Sequence, residues 1–113
     1  MDIARIAALP LRYKPWRPVH ARLIARDLFG PSIQPQRPHL EHLQAAVDWL
    51  CHAQDMRDGK PDAGGVSAGW SFEDGWLPGY PETSGYIVET FIAAADVLGR
   101  PDLLDRANRI IDW

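Results

Sequence analysis

Three residues of one predicted helix could perform acid–base chemistry: Glu82, Tyr86 and Glu89. Their spacings of four and three residues bring all three side chains to one helical face. A carboxylate and a phenol on one face could move protons at a substrate carbon, provided that burial brings a pKa toward neutrality. The alternative is structural, with Glu82 at the positive end of the helix dipole and Tyr86 packed in the core. Spacing alone favours the structural role, because it carries no information on pKa values.

A glycine-rich aromatic loop precedes this helix. Residues 57–81 show neither helical nor strand periodicity, yet they include Trp70, Trp76 and Tyr80. Loops of this length are uncommon unless they are functional or disordered, and disordered segments are poor in aromatic residues. These three aromatics, with Thr83 at the helix start, are candidate substrate-binding residues, because aromatic faces can stack on sugar rings. They could equally form a small core that holds the loop against the helices.

Two groups of residues have the chemistry of metal ligands, and neither has the required spacing. His39 and His42 are one turn apart and His52 follows later, but catalytic zinc normally takes three protein ligands with recognisable spacing. Loop acids could bind calcium through oxygen, yet they fit no EF-hand loop. The chain also lacks the phosphate-binding and dinucleotide motifs, so we predict no metal and no cofactor. The loop acids are Asp58, Asp62, Glu73 and Asp74.

Three helices must position these residues. Apolar residues at helical spacing predict a helix from about His39 to Asp55 and another from about Glu82 to Leu98. Gly99 suits the end of the latter, and Pro101 starts a third helix that must be its antiparallel neighbour because the connection is short. The predicted core residues are Leu43, Val47, Leu50, Ile87, Phe91, Ile92, Leu98, Ala107 and Ile110.

Residues 1–38 form a basic, proline-rich lead-in. They contain seven basic and two acidic residues, a net charge of +5, whereas residues 39–113 carry −8. Such an arm could bind nucleic acid or anionic lipid, but it is more often solvated or packed on acidic parts of its own chain. Six prolines interrupt it, which argues against a recognition helix and makes nucleic-acid binding unlikely. Its best helical segment is Val19–Phe29, which ends at Gly30.

The sequence favours a cytoplasmic location. Cys51 is the only cysteine, so no intrachain disulfide can form, and the residue reads as a small buried hydrophobe. No uncharged run approaches the ~18 residues that a membrane span needs, and the N-terminal segment does not have the pattern of a signal peptide.

Three strings carry a resemblance to a known family: AVDWLCHAQD (46–55), GGVSAGWSFEDGW (64–76) and PGYPETSGYIVETFIAAADVLGRPDLLDRA (78–107). They resemble the N-terminal part of bacterial α/α-toroid proteins, rings of helical hairpins similar to terpenoid cyclases and sugar epimerases, many of them tied to polysaccharide metabolism. The resemblance implies that Glu82 and Tyr86 face a central cavity. It also implies that most of the ring is missing, because such rings need about a dozen helices.

These inferences lead to one fold class and two function classes. We expect an all-α fold, with the lead-in over 1–38 and a partial toroid over 39–113. One function is that of a carbohydrate-active fragment acting on a glycan or uronic acid, and the other is that of a non-catalytic interaction or remnant domain. Whether the chain is an enzyme stays open. We further expect the 64–82 loop to bring Trp70 or Trp76 near Glu82 and Tyr86. We also expect exposed apolar helix faces to cause self-association.

Overall fold

The computed structural model describes residues 3–31 and 35–113, so that Met1, Asp2 and positions 32–34 of the predicted lead-in lie outside it. The described residues are mostly helical, as the sequence predicts, with five helices and one two-stranded sheet. The helices are α1 (Ile3–Tyr13), α2 (Pro18–Phe29), α3 (His39–Asp55), α4 (Pro81–Val97) and α5 (Asp102–Asp112). The strands are β1 (Trp70–Ser71) and β2 (Gly75–Trp76).

The helix boundaries follow local signals in the sequence. α3 has the predicted bounds, and α4 begins one residue earlier than expected because Pro81 occupies its first turn. Proline suits that place, since the N–H it lacks would have no partner within the helix. Gly99 takes a φ of +61° just after α4, the left-handed conformation that favours glycine at a helix end. None of these helices, within residues 3–31 and 35–113, is long and apolar enough to cross a bilayer.

The chain divides into two compact units, and the first contains α1, α2 and the short segment Ser71–Gly75. Its interior is small. His20 is buried and its Nδ1 lies 2.8 Å from the carbonyl oxygen of Tyr13. The ring of Phe72 meets the rings of both residues edge to face. All eleven residues of α1 are exposed.

The second unit contains α3, α4, α5 and most of the loop. α4 and α5 pack together after the short connection at Gly99, as predicted. The centre of the core is Phe91 of α4, which is fully buried with Val47 of α3 and Leu103 of α5. Val66, a loop residue, is 1% exposed and joins this cluster. The loop therefore contributes to the hydrophobic core.

The core prediction is confirmed at eight of nine positions, counting partial burial. Val47, Phe91, Ala107 and Ile110 are buried, whereas Leu43, Leu50, Ile87 and Leu98 are half-buried against them. The prediction is wrong for Ile92, because its side chain is 50% exposed. One residue turns the chain by about 100° in an α-helix, so Phe91 and Ile92 cannot both point at the same neighbour.

Polar contacts between α3 and α5 complete the second unit. Arg106 donates to the Asp55 carboxylate at 2.7 Å and to the Cys51 carbonyl oxygen at 3.2 Å. Gln54 is fully buried and its amide donates to the carbonyl oxygens of Gly64 and Arg106, each at 3.0 Å. Burying a polar atom is unfavourable unless it is hydrogen-bonded. These hydrogen bonds join α3, α5 and the loop at one point.

Candidate functional site

An ion pair inside the loop sets its path. The Arg57 guanidinium donates to both carboxylate oxygens of Asp62, at 2.8 and 2.7 Å, and both side chains are largely buried. The same carboxylate accepts a hydrogen bond from the backbone N–H of Gly79. The Arg57 bond first, and the Gly79 bond second, lower the pKa of Asp62 from 3.8 to about 2. Asp62 therefore fastens the two ends of the loop as a carboxylate.

A buried serine joins the loop to the first turn of α4. Ser84 is fully buried, and its hydroxyl accepts a hydrogen bond from the N–H of Val66 at 3.0 Å. The N–H of Tyr80 donates to the carbonyl oxygen of Val66 at 3.3 Å. On the other side, the N–H of Ser67 donates to the Ala53 carbonyl oxygen of α3. The segment around Val66 thus lies between α3 and α4.

Trp113 lies against the glycines of the loop. A Cβ atom built on Gly65 would come within 2.7 Å of the Trp113 ring, and one on Gly79 within 3.3 Å. Gly64 adopts a φ of +107° and would also approach Trp113, at 3.0 Å. Gly65 is needed because the indole occupies the space of a side chain. Gly64 is needed for its positive φ and because the Arg109 carbonyl oxygen lies 2.8 Å from the position of a Cβ atom.

An aromatic cluster forms where the loop meets α3. The Trp76 ring lies 4.9 Å from the Trp49 ring at a tilt of 40°, and 5.2 Å from the His52 ring at 78°. Trp49 is 54% exposed, and Trp76 is half-buried beneath it. Tilted and edge-to-face arrangements at these separations are the favourable ones for aromatic pairs. We call these three residues the aromatic cluster.

The other predicted substrate-binding residues lie on either side of β2. Trp70 is half-buried in β1, and Tyr80 is 50% exposed immediately before α4. Thr83 is exposed, and its hydroxyl donates to the Tyr80 carbonyl oxygen at 3.2 Å. This bond gives a partner to the carbonyl oxygen of the last residue before α4, so the Thr83 hydroxyl has a structural contact here.

The predicted catalytic residues share a face of α4 that is open to solvent. Glu82, Tyr86 and Glu89 are all exposed, and Tyr86 is exposed by 71%. Ser84 and Phe91 lie on the opposite, buried face. The ring contacts of Trp76 are with α3, and the expected meeting of this ring with Glu82 and Tyr86 stays a prediction.

Sequence reasoning missed two residues that build this region, Trp49 and Ser84. Trp49 follows Asp48 as Trp113 follows Asp112, and both indoles contact the loop, Trp49 at Trp76 and Trp113 at Gly65. Ser84 gave no signal, because an isolated serine in a helix is ordinarily exposed. Within residues 3–31 and 35–113, no three His, Cys, Asp or Glu side chains gather as metal ligands would.

The sequence matches no protein-family model, and comparisons with curated proteins and with solved structures return no significant match. The geometry of the described residues is therefore the basis for assigning a function.

Proposed function

We propose that this chain is part of a carbohydrate-active α/α-toroid protein and that its aromatic cluster contacts a sugar ring of a glycan or uronic acid. The observation that carries the proposal is the Trp49–Trp76 pair: a half-exposed indole held 4.9 Å from a second ring. Rigid aromatic faces provide a large contact area at a low cost in conformational entropy. The α4–α5 hairpin preceded by α3 supports an arrangement of repeated helical pairs, as in a toroid.

The residues around the pair suit a sugar. The imidazole of His52 lies at the edge of the Trp76 ring and is exposed, so it can exchange hydrogen bonds with hydroxyl groups. Glycan sites combine such polar groups with apolar faces, because each pyranose presents both C–H and hydroxyl surfaces. The unpaired Cys51 fits a cytoplasmic location for this function.

Oligosaccharide titration tests the proposal. We expect neutral and uronic-acid oligosaccharides to quench tryptophan fluorescence, and Trp49→Ala to abolish binding measured by calorimetry while the helical circular dichroism is kept. The matched control is Trp16→Ala, which removes a tryptophan that is 61% exposed in the first unit. Equal loss of binding in both variants, or no binding to any oligosaccharide in a panel, contradicts the proposal.

Catalysis is a separate step of the same proposal. Glu82, Tyr86 and Glu89 are assigned acid–base roles at a sugar carbon, on the face that the toroid resemblance implies is the cavity face. Because this face is exposed in the described chain, the burial that these roles require has to come from the bound substrate. If the chain turns over a glycan, Glu82→Gln and Tyr86→Phe should each lower kcat by about 10²-fold or more without changing stability, as general acid–base groups do. Unchanged kcat in both variants contradicts these roles.

A second candidate is a non-catalytic interaction domain, which the surface of α4 and α5 favours. An open, largely apolar groove of about 470 Å³ lies between these helices, lined by Val88, Ile111 and Trp113 among others. Ile92 and Ile111 are 50% and 65% exposed. Exposed apolar surface of this kind favours self-association. Sedimentation velocity should then show oligomers that Ile92→Gln with Ile111→Gln converts to monomers, and a monomer at all concentrations would contradict this candidate.

A further inference from the structure

The first unit leaves most of its large apolar side chains in solvent. Phe29, Ile3 and Leu11 are 85%, 81% and 74% exposed, and Trp16 is 61% exposed. Monomeric proteins rarely expose contiguous apolar surface of this kind without a binding role. The exposed apolar residues of this unit are Ile3, Ile6, Leu9, Leu11, Tyr13, Trp16, Val19, Leu28 and Phe29.

Basic side chains alternate with these apolar ones. Val19, Arg22, Arg26 and Phe29 follow each other at spacings of three and four residues, so they share one exposed face of α2. On α1, Arg5 and Arg12 lie two turns apart, while the rest of the helix is apolar apart from its final tyrosine. Long basic side chains beside apolar ones can extend their charges to phosphates while their stems stay on apolar surface.

Charge and aromatic position identify one kind of partner. Helices α1 and α2, with the turn between them, carry six basic residues and one acid, Asp27. Two of the six have a partner in Glu73 of the same unit: Arg12 pairs with its carboxylate, and Lys14 donates to its carbonyl oxygen. The other four, Arg5, Arg17, Arg22 and Arg26, are exposed. Tyr13 and Trp16 lie at that turn, and these residue types prefer the boundary between headgroups and acyl chains. A nucleic acid would be attracted by the same charges but would gain nothing from burying Ile3, Leu11 and Phe29. An anionic lipid surface can bind both the basic and the apolar side chains.

We propose that α1 and α2 bind the surface of an anionic membrane, with their exposed apolar side chains among the lipid headgroups and their arginines on lipid phosphates. The helices lie on the bilayer and do not cross it. Because each basic residue near such a surface contributes on the order of 1 kcal/mol, the four arginines that have no contact with Glu73 are sufficient for salt-sensitive, reversible binding. α1 and α2 share no residue with the aromatic cluster, so the membrane proposal and the glycan proposal are tested by different variants.

Vesicle co-sedimentation of the full chain tests the proposal. We expect it to pellet with vesicles of phosphatidylglycerol and phosphatidylcholine, to remain in solution with phosphatidylcholine alone, and to be released by high salt. Arg5→Gln with Arg22→Gln should weaken binding roughly 30-fold. Leu11→Gln with Phe29→Gln should weaken it by a similar factor, because both apolar side chains leave the lipid.

Matched controls come from the second unit. Arg37→Gln with Lys60→Gln removes the same charge from exposed positions, and Leu40→Gln with Val97→Gln removes exposed apolar side chains. Both control variants should keep vesicle binding within about twofold, since neither changes a residue of α1 or α2. A blue shift of tryptophan emission on vesicles should disappear in Trp16→Phe.

Three outcomes overturn the proposal. The first is absence of pelleting with anionic vesicles, and the second is equal loss of binding in the test and control pairs. The third is binding to single-stranded RNA that the arginine pair weakens and the Leu11–Phe29 pair leaves unchanged, together with no response to vesicles. That result would assign the basic surface to nucleic acid.

Discussion

The carboxylate of Asp62 accepts a hydrogen bond from the backbone N–H of Gly79, which lies seventeen residues further along the chain. Because the same carboxylate pairs with Arg57, a single ionised group holds both ends of the loop. The path of the loop therefore depends in part on the charge of one side chain.

The stability of the protein should fall in acid through Asp62. The pKa of this group is lowered from 3.8 to about 2 in the folded chain, first by the Arg57 bond and then by the Gly79 bond. Its stabilising effect is present above the unfolded pKa and is lost as pH falls toward the folded one. The difference in free energy of unfolding between the wild type and Asp62→Asn, from urea denaturation, should shrink between about pH 5 and pH 2.

The control for this prediction is Asn108→Ala, which changes an exposed residue of α5 that does not titrate. Its difference from the wild type should vary little over the same pH range. A gap between wild type and Asp62→Asn that is constant from pH 5 to pH 2 would show that Asp62 does not stabilise the loop as a carboxylate.

Ser84→Ala should destabilise the protein by about 1–3 kcal/mol, because it leaves the buried N–H of Val66 without a partner. Thr83→Ala, one residue earlier and exposed, should change stability by no more than about 0.5 kcal/mol. Hydrogen exchange of the Val66 amide should accelerate in the serine variant and not in the threonine variant. Equal effects of the two substitutions would contradict a specific role for the buried hydroxyl.

Gly65→Ala should displace Trp113, since the new methyl group would come within 2.7 Å of its ring. Overpacking of this kind costs about 1–3 kcal/mol, and the emission of Trp113 should shift to longer wavelength as the ring enters water. Gly85→Ala is the control, and it should stabilise the protein. Nothing lies within 4 Å of its new methyl group, and alanine favours a helix over glycine by about 0.5–1 kcal/mol.

A double-mutant cycle isolates this contact. In a Trp113→Ala background, the cost of Gly65→Ala should fall to a few tenths of a kcal/mol, because the obstructing ring is gone. Additive effects of the two substitutions would indicate that Gly65 is required for its backbone conformation rather than for the indole.

Cys51 should be unreactive in the folded protein. The thiol is 6% exposed, and burial raises its pKa, an effect that outweighs the nearby guanidinium groups of Arg106 and Arg100. Because the thiolate is the reactive species, labelling with a disulfide reagent at pH 8 should proceed only as the chain unfolds. The labelling rate should rise with urea in parallel with loss of helical circular dichroism. Immediate labelling without urea would contradict burial of this side chain.

The sequence by itself determined the helices of the second unit, whereas it did not locate α1, which contains Pro10. The bounds of α3, the end of α4 at Gly99 and the antiparallel pairing of α4 with α5 follow from apolar period, proline and glycine. These signals are local, because helix formation depends on residues within one or two turns. The same periodicity identified Val47, Phe91 and Ile110 as core residues, since a helical stripe can be read without knowing its neighbour.

The tertiary structure decided which face meets the loop. Ser84, and not the flanking Thr83, is the residue that binds Val66, and Trp49, a position the sequence left unassigned, meets Trp76. The bonded pair is eighteen residues apart and the rings belong to different elements, so their meeting depends on the path of an irregular segment. Local propensity says nothing about that path, which is set by the Asp62 ion pair, the buried Ser84 hydroxyl and the space that loop glycines leave for Trp113.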